Sequence, residues 1–288
     1  PIDEGTIAYL RVQSYYFFLN LANFSVKIFA KCLFFCNFAL FFIIIDKMEV
    51  KTRAIVLQTI KYGDAQLIVD FFTEKLGRVS FMVKIPKSSK AKMKRQLFQP
   101  LMILNLEFDH RPKANLQRLK DVSIALPFGD LPFSPYKLAM SMFLAELLGQ
   151  ATRNEQVNVP LFSFIVESVA WLDQAQGNYA NFHIVFMVRL TFFLGFSPNL
   201  ESGVHGDFFD LEEGRFVSFV PTHVHYLNKE DSLRMLGLLR LSYETMHLYT
   251  MSRLDRNRCV EVILQYYRIH VPGFPELKSF SVLQELFA

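Results

Sequence analysis

The densest chemistry in the sequence is cationic. Residues 84 to 96 read KIPKSSKAKMKRQ, placing Lys84, Lys87, Lys90, Lys92, Lys94 and Arg95 in thirteen positions with no acid among them. No Asp or Glu occurs between Glu74 and Glu107, an interval that also holds Lys75 and Arg78. Solubility would be served better by mixed signs than by one sign crowded on one segment. A run of this kind suits a line of phosphates, because each cation displaces condensed counterions and gives affinity that ignores sequence and falls steeply with salt. The chain as a whole carries only +4, yet residues 48 to 127 carry +8 and residues 128 to 288 carry −5. Charge divided by region points to two domains with different partners.

A second group of chemically able side chains lies between 197 and 226. Asp207, Asp210, Glu212 and Glu213 crowd one hairpin, with His205, His223 and His225 around them. Clustered carboxylates and imidazoles can hold a divalent cation, so a metal-dependent nuclease acting through residues 205 to 213 is the alternative reading. Against it stands spacing. His-x-His in a strand puts two rings on one face, but no third and fourth ligand follow at tight intervals. A solvated acidic face accounts for the same residues. Phosphate-binding glycine loops, HExxH and GxSxG are absent.

The elements that must position these groups change period along the chain. Segments 51–60, 66–73, 78–85, 101–110 and 115–126 are short, β-branched or alternating, and separated by turns such as KYGDA and EKLG. Five short strands in about 80 residues predict a small barrel or open sheet, and an OB-type barrel is one of the few five-stranded solutions. Pro86 and Ser88-Ser89 make the basic run a loop. After PFGDLPFSP (127 to 135), which reads as a linker, apolar residues recur at helical spacing over 136–152, 160–175, 181–196, 229–249, 256–270 and 279–287. Arg253, Arg256 and Arg258 lie at a helix start, with Asp255 expected as its cap. The fold class is therefore α+β: an N-terminal OB-fold β-barrel over 48–127, then an all-α helical domain over 128–288 with a β-hairpin inserted at about 197–226.

Residues 1 to 47 stand outside this pattern. They hold nine of the 31 Phe, and the apolar run from Cys32 to Ile45 is fourteen residues long and broken by Asn37. A spanning helix needs about 20 apolar residues. No small-residue cleavage pattern follows the run, and the first Met is Met48. The expectation is that translation starts at Met48 and that 1–47 are an upstream extension, not part of the fold. A membrane-tethered protein is the alternative if they are real. Without them Cys259 is the one remaining cysteine, which excludes an intrachain disulfide and predicts a reducing, cytoplasmic setting.

Four segments in this order, AIVLQTIKYGDAQLIVDFFTEKLGRVSFMVK, LFQPLMILNLEF, RLTFFLGFSPNL and YYRIHVPGFPELKSFSVLQELF, resemble the RecO family of bacterial recombination and repair mediators. The resemblance runs from Met48 to the C-terminus. It implies an OB-fold followed by a helical domain, no catalytic activity and no cofactor. It also implies binding of single- and double-stranded DNA, annealing of complementary strands, and a nucleoid-associated place in the cytoplasm. Its implied partners are RecR, the C-terminal tail of single-stranded DNA-binding protein and, indirectly, RecA. Many members carry a four-cysteine zinc site where this chain has its 197–226 insert, and those cysteines are absent here. A zinc-free ribbon held by Phe208, Phe209, Phe216 and Phe219 is expected instead.

On an OB-fold, nucleic acid crosses the barrel face between loops, with aromatic side chains available to stack bases. Arg53, Arg78 and Lys84 are expected to edge that face. Lys87, Lys90, Lys92, Lys94 and Arg95 would form the loop, and Arg111 and Lys113 the neighbouring turn. Of the nearby aromatics, Tyr62, Phe81 and Phe98, Phe81 reads as core, so backbone electrostatics should outweigh stacking.

Overall fold

The computed structural model describes residues 48–85, 94–200 and 207–286. The expectations placed on 1–47, on Lys87, Lys90 and Lys92, and on His205 lie outside the described residues. The main body is Val50–Phe108 with the chain from Asn115 onward, and the turn Asp109–Ala114 groups apart from it.

Five strands, β1 (Met48–Tyr62), β2 (Gln66–Thr73), β3 (Gly77–Lys84), β4 (Ile103–His110) and β5 (Leu119–Leu126), form one sheet in the order β3-β2-β1-β4-β5. The named pairings β1–β2, β2–β3 and β4–β5 are antiparallel. The sheet curls until its two edges touch at one parallel bridge, Phe81 to Gln117. There the Met82 N–H donates to the Gln117 carbonyl and the Gln117 N–H to the Ser80 carbonyl, both at 2.9 Å. Elsewhere the seam is open, so the expected barrel is an OB-like sheet that is only partly closed.

Aromatic rings fill the inside. Phe81 meets Phe71 at 5.4 Å and Phe108 at 4.7 Å between centroids, edge to face in both pairs, and Phe98 packs on Phe71 at 6.3 Å. All four are buried. Rings prefer this geometry because the positive edge of one meets the negative face of the other.

Strand β1 is buried on both sides at its centre, and the sequence shows why. Ala54-Ile55-Val56-Leu57 is a continuous apolar run where an alternating pattern would mark a one-sided strand. Ala54 and Val56 face the barrel core, while Ile55 and Leu57, with Phe72 of β2, belong to the core of the helices. An extra residue between Val56 and Gln58 shifts the register against β2 at this point.

The helices are α1 (Pro135–Ala151), α2 (Val159–Gln174), α3 (Phe182–Phe193), α4 (Lys229–Leu239), α5 (Arg253–His270) and α6 (Ser279–Leu286). Met140, Phe143 and Leu147 of α1 pack with Phe162 and Ile165 of α2, Phe186 and Leu190 of α3, and Ile263 and Tyr267 of α5. Ser134, Asn158, Asn228 and Ser252 cap α1, α2, α4 and α5 by accepting a backbone N–H. Ser252, not Asp255, is thus the cap of α5; Asp255 sits in the first turn and accepts the Ser252 hydroxyl proton at 2.6 Å. The helix expected over 229–249 stops at Leu239 and resumes as a 3-10 turn, Met246–Leu248. Tertiary contacts impose that break: Gly237 lies so close to Tyr249 that a Cβ would meet its ring at 3.1 Å, and Asn181 donates to the carbonyls of Met246 and Tyr249.

The segment read as a linker is a fixed corner. Asp173 accepts backbone N–H groups from Gly129, Asp130 and Leu131 at 3.0, 2.9 and 2.7 Å. Lys137 is fully buried and donates to the carbonyls of Asp173 and Ala175, and its ammonium lies 2.7 Å from the Asp130 carboxylate. Burial alone would raise the Asp173 pKa, but the three N–H donors and Lys137 hold it below the ordinary aspartate value.

The insert is a three-stranded sheet, β6 (Phe208–Asp210), β7 (Arg215–Val217) and β8 (Tyr226–Leu227), ordered β7-β6-β8, so the expected hairpin gains a third strand. Phe209 and Phe216 are buried against Tyr266 and Val262 of α5, as their apolar bulk predicts. Phe208 is half-buried. Phe219 is 65% exposed and holds nothing. Among the described residues no helix is long and apolar enough to cross a membrane.

Candidate nucleic-acid interface

Antiparallel register aligns one row of side chains across three strands. Tyr62 of β1 pairs with Gln66 of β2, and Gln66 pairs with Lys84 of β3. The next row on the same face is Ile60, Ile68 and Met82, and the one after it Gln58, Asp70 and Ser80. The opposite face carries Leu67, Val69, Phe71, Phe81 and Val83, all in the barrel core. The first face therefore looks outward, and it is uncovered at its Lys84 end: Tyr62 is 54% and Ile60 47% exposed. A protruding aromatic and an amide in line with a lysine can meet a base face, a base edge and a phosphate.

Lys84 is exposed and is the last residue of β3, so the basic loop begins where this face ends. Lys94 and Arg95, where description of the chain resumes, are exposed at the start of a 3-10 turn over Arg95–Phe98 that buries Phe98 in the barrel core. Arg111 and Lys113 are exposed in the turn Asp109–Ala114.

Arg53 and Arg78 are engaged within the protein. The Arg53 guanidinium donates through Nε and Nη2 to the two oxygens of Glu74 at 3.0 and 2.6 Å and lies 5.3 Å from the Phe162 ring centroid. The hydrogen bond to Arg53 holds the Glu74 carboxyl below its usual range. Arg78 donates to Asp70 at 3.0 Å and to the Gly149 carbonyl of α1, and Asp70 also accepts the Ser80 hydroxyl proton at 2.5 Å. Arg78 joins barrel to helix. On Arg53's side of the sheet a cavity of about 390 Å³ is lined by Lys51, Arg53 and Lys75 but also by Glu74, Glu107 and Asp121. Its mixed signs give a polyanion no net attraction.

Sequence reasoning named Tyr62 but missed Ile60, Gln66 and Met82. The signal was available in part: Ile68 and Met82 alternate with the core residues Leu67, Val69, Phe81 and Val83, whereas Ile60 and Tyr62 flank the exposed Lys61 and carry no such mark.

The acids and histidines of the insert among the described residues are tied to partners. Asp207 pairs with Lys229 at 2.9 Å, and Glu213 with Arg215. Asp210, buried, accepts the N–H groups of Glu212 and Glu213 and lies 3.1 Å from His223 Nε2, while His225 Nδ1 is 2.8 Å from Glu212. Among the described residues no three His, Cys, Asp or Glu side chains converge on a position that could hold a metal ion.

Two family descriptions match the chain in succession: "Recombination protein O N terminal" over residues 48–128 and "Recombination protein O C terminal" over residues 132–279. Among curated relatives, the DNA repair protein RecO of Phocaeicola vulgatus is 48% identical over 238 residues, covering 83% of this chain and 99% of the relative. The protein of that name from Bacteroides fragilis is 46% identical over 238 residues, with 82% and 98% covered. That from Flavobacterium psychrophilum is 34% identical over 242 residues, with 84% and 100% covered.

Proposed function

The chain belongs to the RecO family, and from that premise we propose that it is a non-enzymatic DNA repair mediator whose barrel binds DNA through its phosphates. The carrying observation is the uncovered face of β1–β2–β3, where Tyr62, Gln66 and Lys84 stand in one row and Lys84 opens the acid-free basic loop. Phosphates of a strand run along Lys84, the loop lysines 87, 90 and 92, and Lys94 and Arg95. Arg53 and Arg78 play no part in contacting DNA in this reading, because carboxylates already neutralise them. Tyr62 stacks on bases without reading them, since every base has a π-face.

Annealing follows from the same electrostatics. Two strands repel through their phosphates, and cations placed between them lower that repulsion while leaving the base edges open to pair. Family membership supports RecR and the tail of single-stranded DNA-binding protein as partners, with RecA loading as the outcome. The test is binding of a labelled single-stranded oligonucleotide by anisotropy across a salt series, beside a variant with Lys87, Lys90, Lys92 and Lys94 changed to Ala. Weaker binding with a shallower dependence of log affinity on log salt supports the reading. A variant that matches the parent overturns it.

A further inference from the structure

The outward row of β1 does not end at the barrel. Past Ile60 it continues through Gln58 into a cleft of about 390 Å³ between β1, the exposed side of α1 and the start of α6. Its apolar walls are Leu57, Met142, Ala145 and Val282, and its polar lining includes Gln58, Gln150, Glu146 and Lys278. Met142 and Val282 are 42% and 43% exposed, and Gln58, which stands one row from Ile60 on the outward face, is the residue that joins that face to the cleft. The cleft is a built feature. Phe143 and Phe280 pack at 6.0 Å behind it, and Glu146 fastens α6 to α1 by accepting the N–H groups of Lys278 and Ser279 at 3.0 and 2.8 Å, together with the Ser279 hydroxyl.

We propose that a single strand bound on the sheet face carries its next unstacked bases into this cleft, which makes the helical domain part of the nucleic-acid site; this rests on the sheet-face reading above. Three features fit that occupant. Gln58 and Gln150 each offer a donor and an acceptor, which any base edge can meet. Met142 and Val282 offer apolar contact to base faces. Lys84 in the Tyr62 row and Lys278 in the cleft lining are cations for the sugar-phosphate backbone, while the Glu146 carboxylate is taken up by the N–H groups of Lys278 and Ser279. The volume lies within the range of roughly 300–1,000 Å³ usual for clefts that take small ligands.

The test compares oligothymidylates of about 4 and about 16 nucleotides, the span over which OB-fold site sizes fall, on the full chain and two variants. In Met142→Ala with Gln150→Ala, the short oligonucleotide should bind as to the parent and the long one roughly tenfold more weakly, the loss of one thioether–base contact and one hydrogen bond. The salt slope should be unchanged, because no phosphate contact is removed. Tyr62→Ala should weaken both lengths. If the cleft variant binds the long oligonucleotide like the parent while Tyr62→Ala weakens it, the cleft proposal falls and the sheet reading stands. If neither variant changes binding, both fall. Equal weakening at both lengths by the cleft variant also overturns the proposal. An independent readout uses the unaltered protein: iodouracil at one end of the long oligonucleotide should cross-link to a peptide containing Met142 on illumination, and no such cross-link from either end counts against the cleft.

Discussion

Lys84, Lys94 and Arg95 stand apart from Arg78 in one respect that can be measured. All four are basic and close in sequence, yet the first three are exposed and Arg78 is bonded to Asp70 and Gly149. Changing the three exposed residues to Ala removes three phosphate neighbours. On single strands each contributes about 0.7 to the slope of log affinity on log salt, so the slope should fall by about 2. Between about 50 and 200 mM salt, a fourfold change, the parent should then lose roughly fifteenfold more affinity than the variant. Arg78→Ala should leave the slope as it was and act on folding. It leaves a partly buried carboxylate with one donor fewer and a carbonyl of α1 without its guanidinium, at a cost of about 1–3 kcal/mol. The assay is fluorescence anisotropy at five or so salt concentrations, paired with urea unfolding of each variant. An Arg78→Ala protein of parental stability whose slope drops as far as that of the triple variant would refute the assignment of the outer face.

Phe81→Ala removes a fully buried ring that touches Phe71 and Phe108, and urea denaturation should show a loss of about 3–5 kcal/mol. Lys137→Ala strips two carbonyls and Asp130 of a buried donor, so the midpoint should fall by the equivalent of roughly 3 kcal/mol in the same assay. Asp173 has a folded pKa below its unfolded value, so its contribution is present above the unfolded pKa and lost as pH falls through the folded one. The parent should accordingly lose stability below about pH 4 more steeply than Asp173→Asn, read by thermal unfolding across a pH series. Burial pushes the Cys259 thiol up to about 11. It should react with a disulfide reagent at pH 8 far more slowly in the native protein than after unfolding; equal rates would contradict its burial on the inner face of α5.

Much of the fold was legible before any coordinates. β2 falls on the residues its alternation marked, and α1, α2 and α6 begin and end within a residue or two of their apolar period, because one-sided burial writes its period into local sequence. The breaks were not legible. After Arg240 the local cue is only Ser242 and Thr245, whose hydroxyls accept each other's backbone N–H, while Tyr249 and Asn181 hold the break through contacts with residues further along the chain. Phe219 looks as apolar as Phe216, yet only Phe216 lies on a strand facing α5.

For the candidate site the division is sharper. Where positive charge accumulates along the chain is a property of the sequence, and so is the absence of any acid to balance it between Glu74 and Glu107. Which of those charges face water is settled only by register. Pairing Asp70 with Ser80 and Phe72 with Arg78 puts the Arg78 guanidinium within reach of Asp70, and two strand rows further on the same pairing leaves Lys84 beside Gln66 and Tyr62. A charge meets its partner through space, and in a sheet the distance through space is set by strand pairing between residues far apart in the chain.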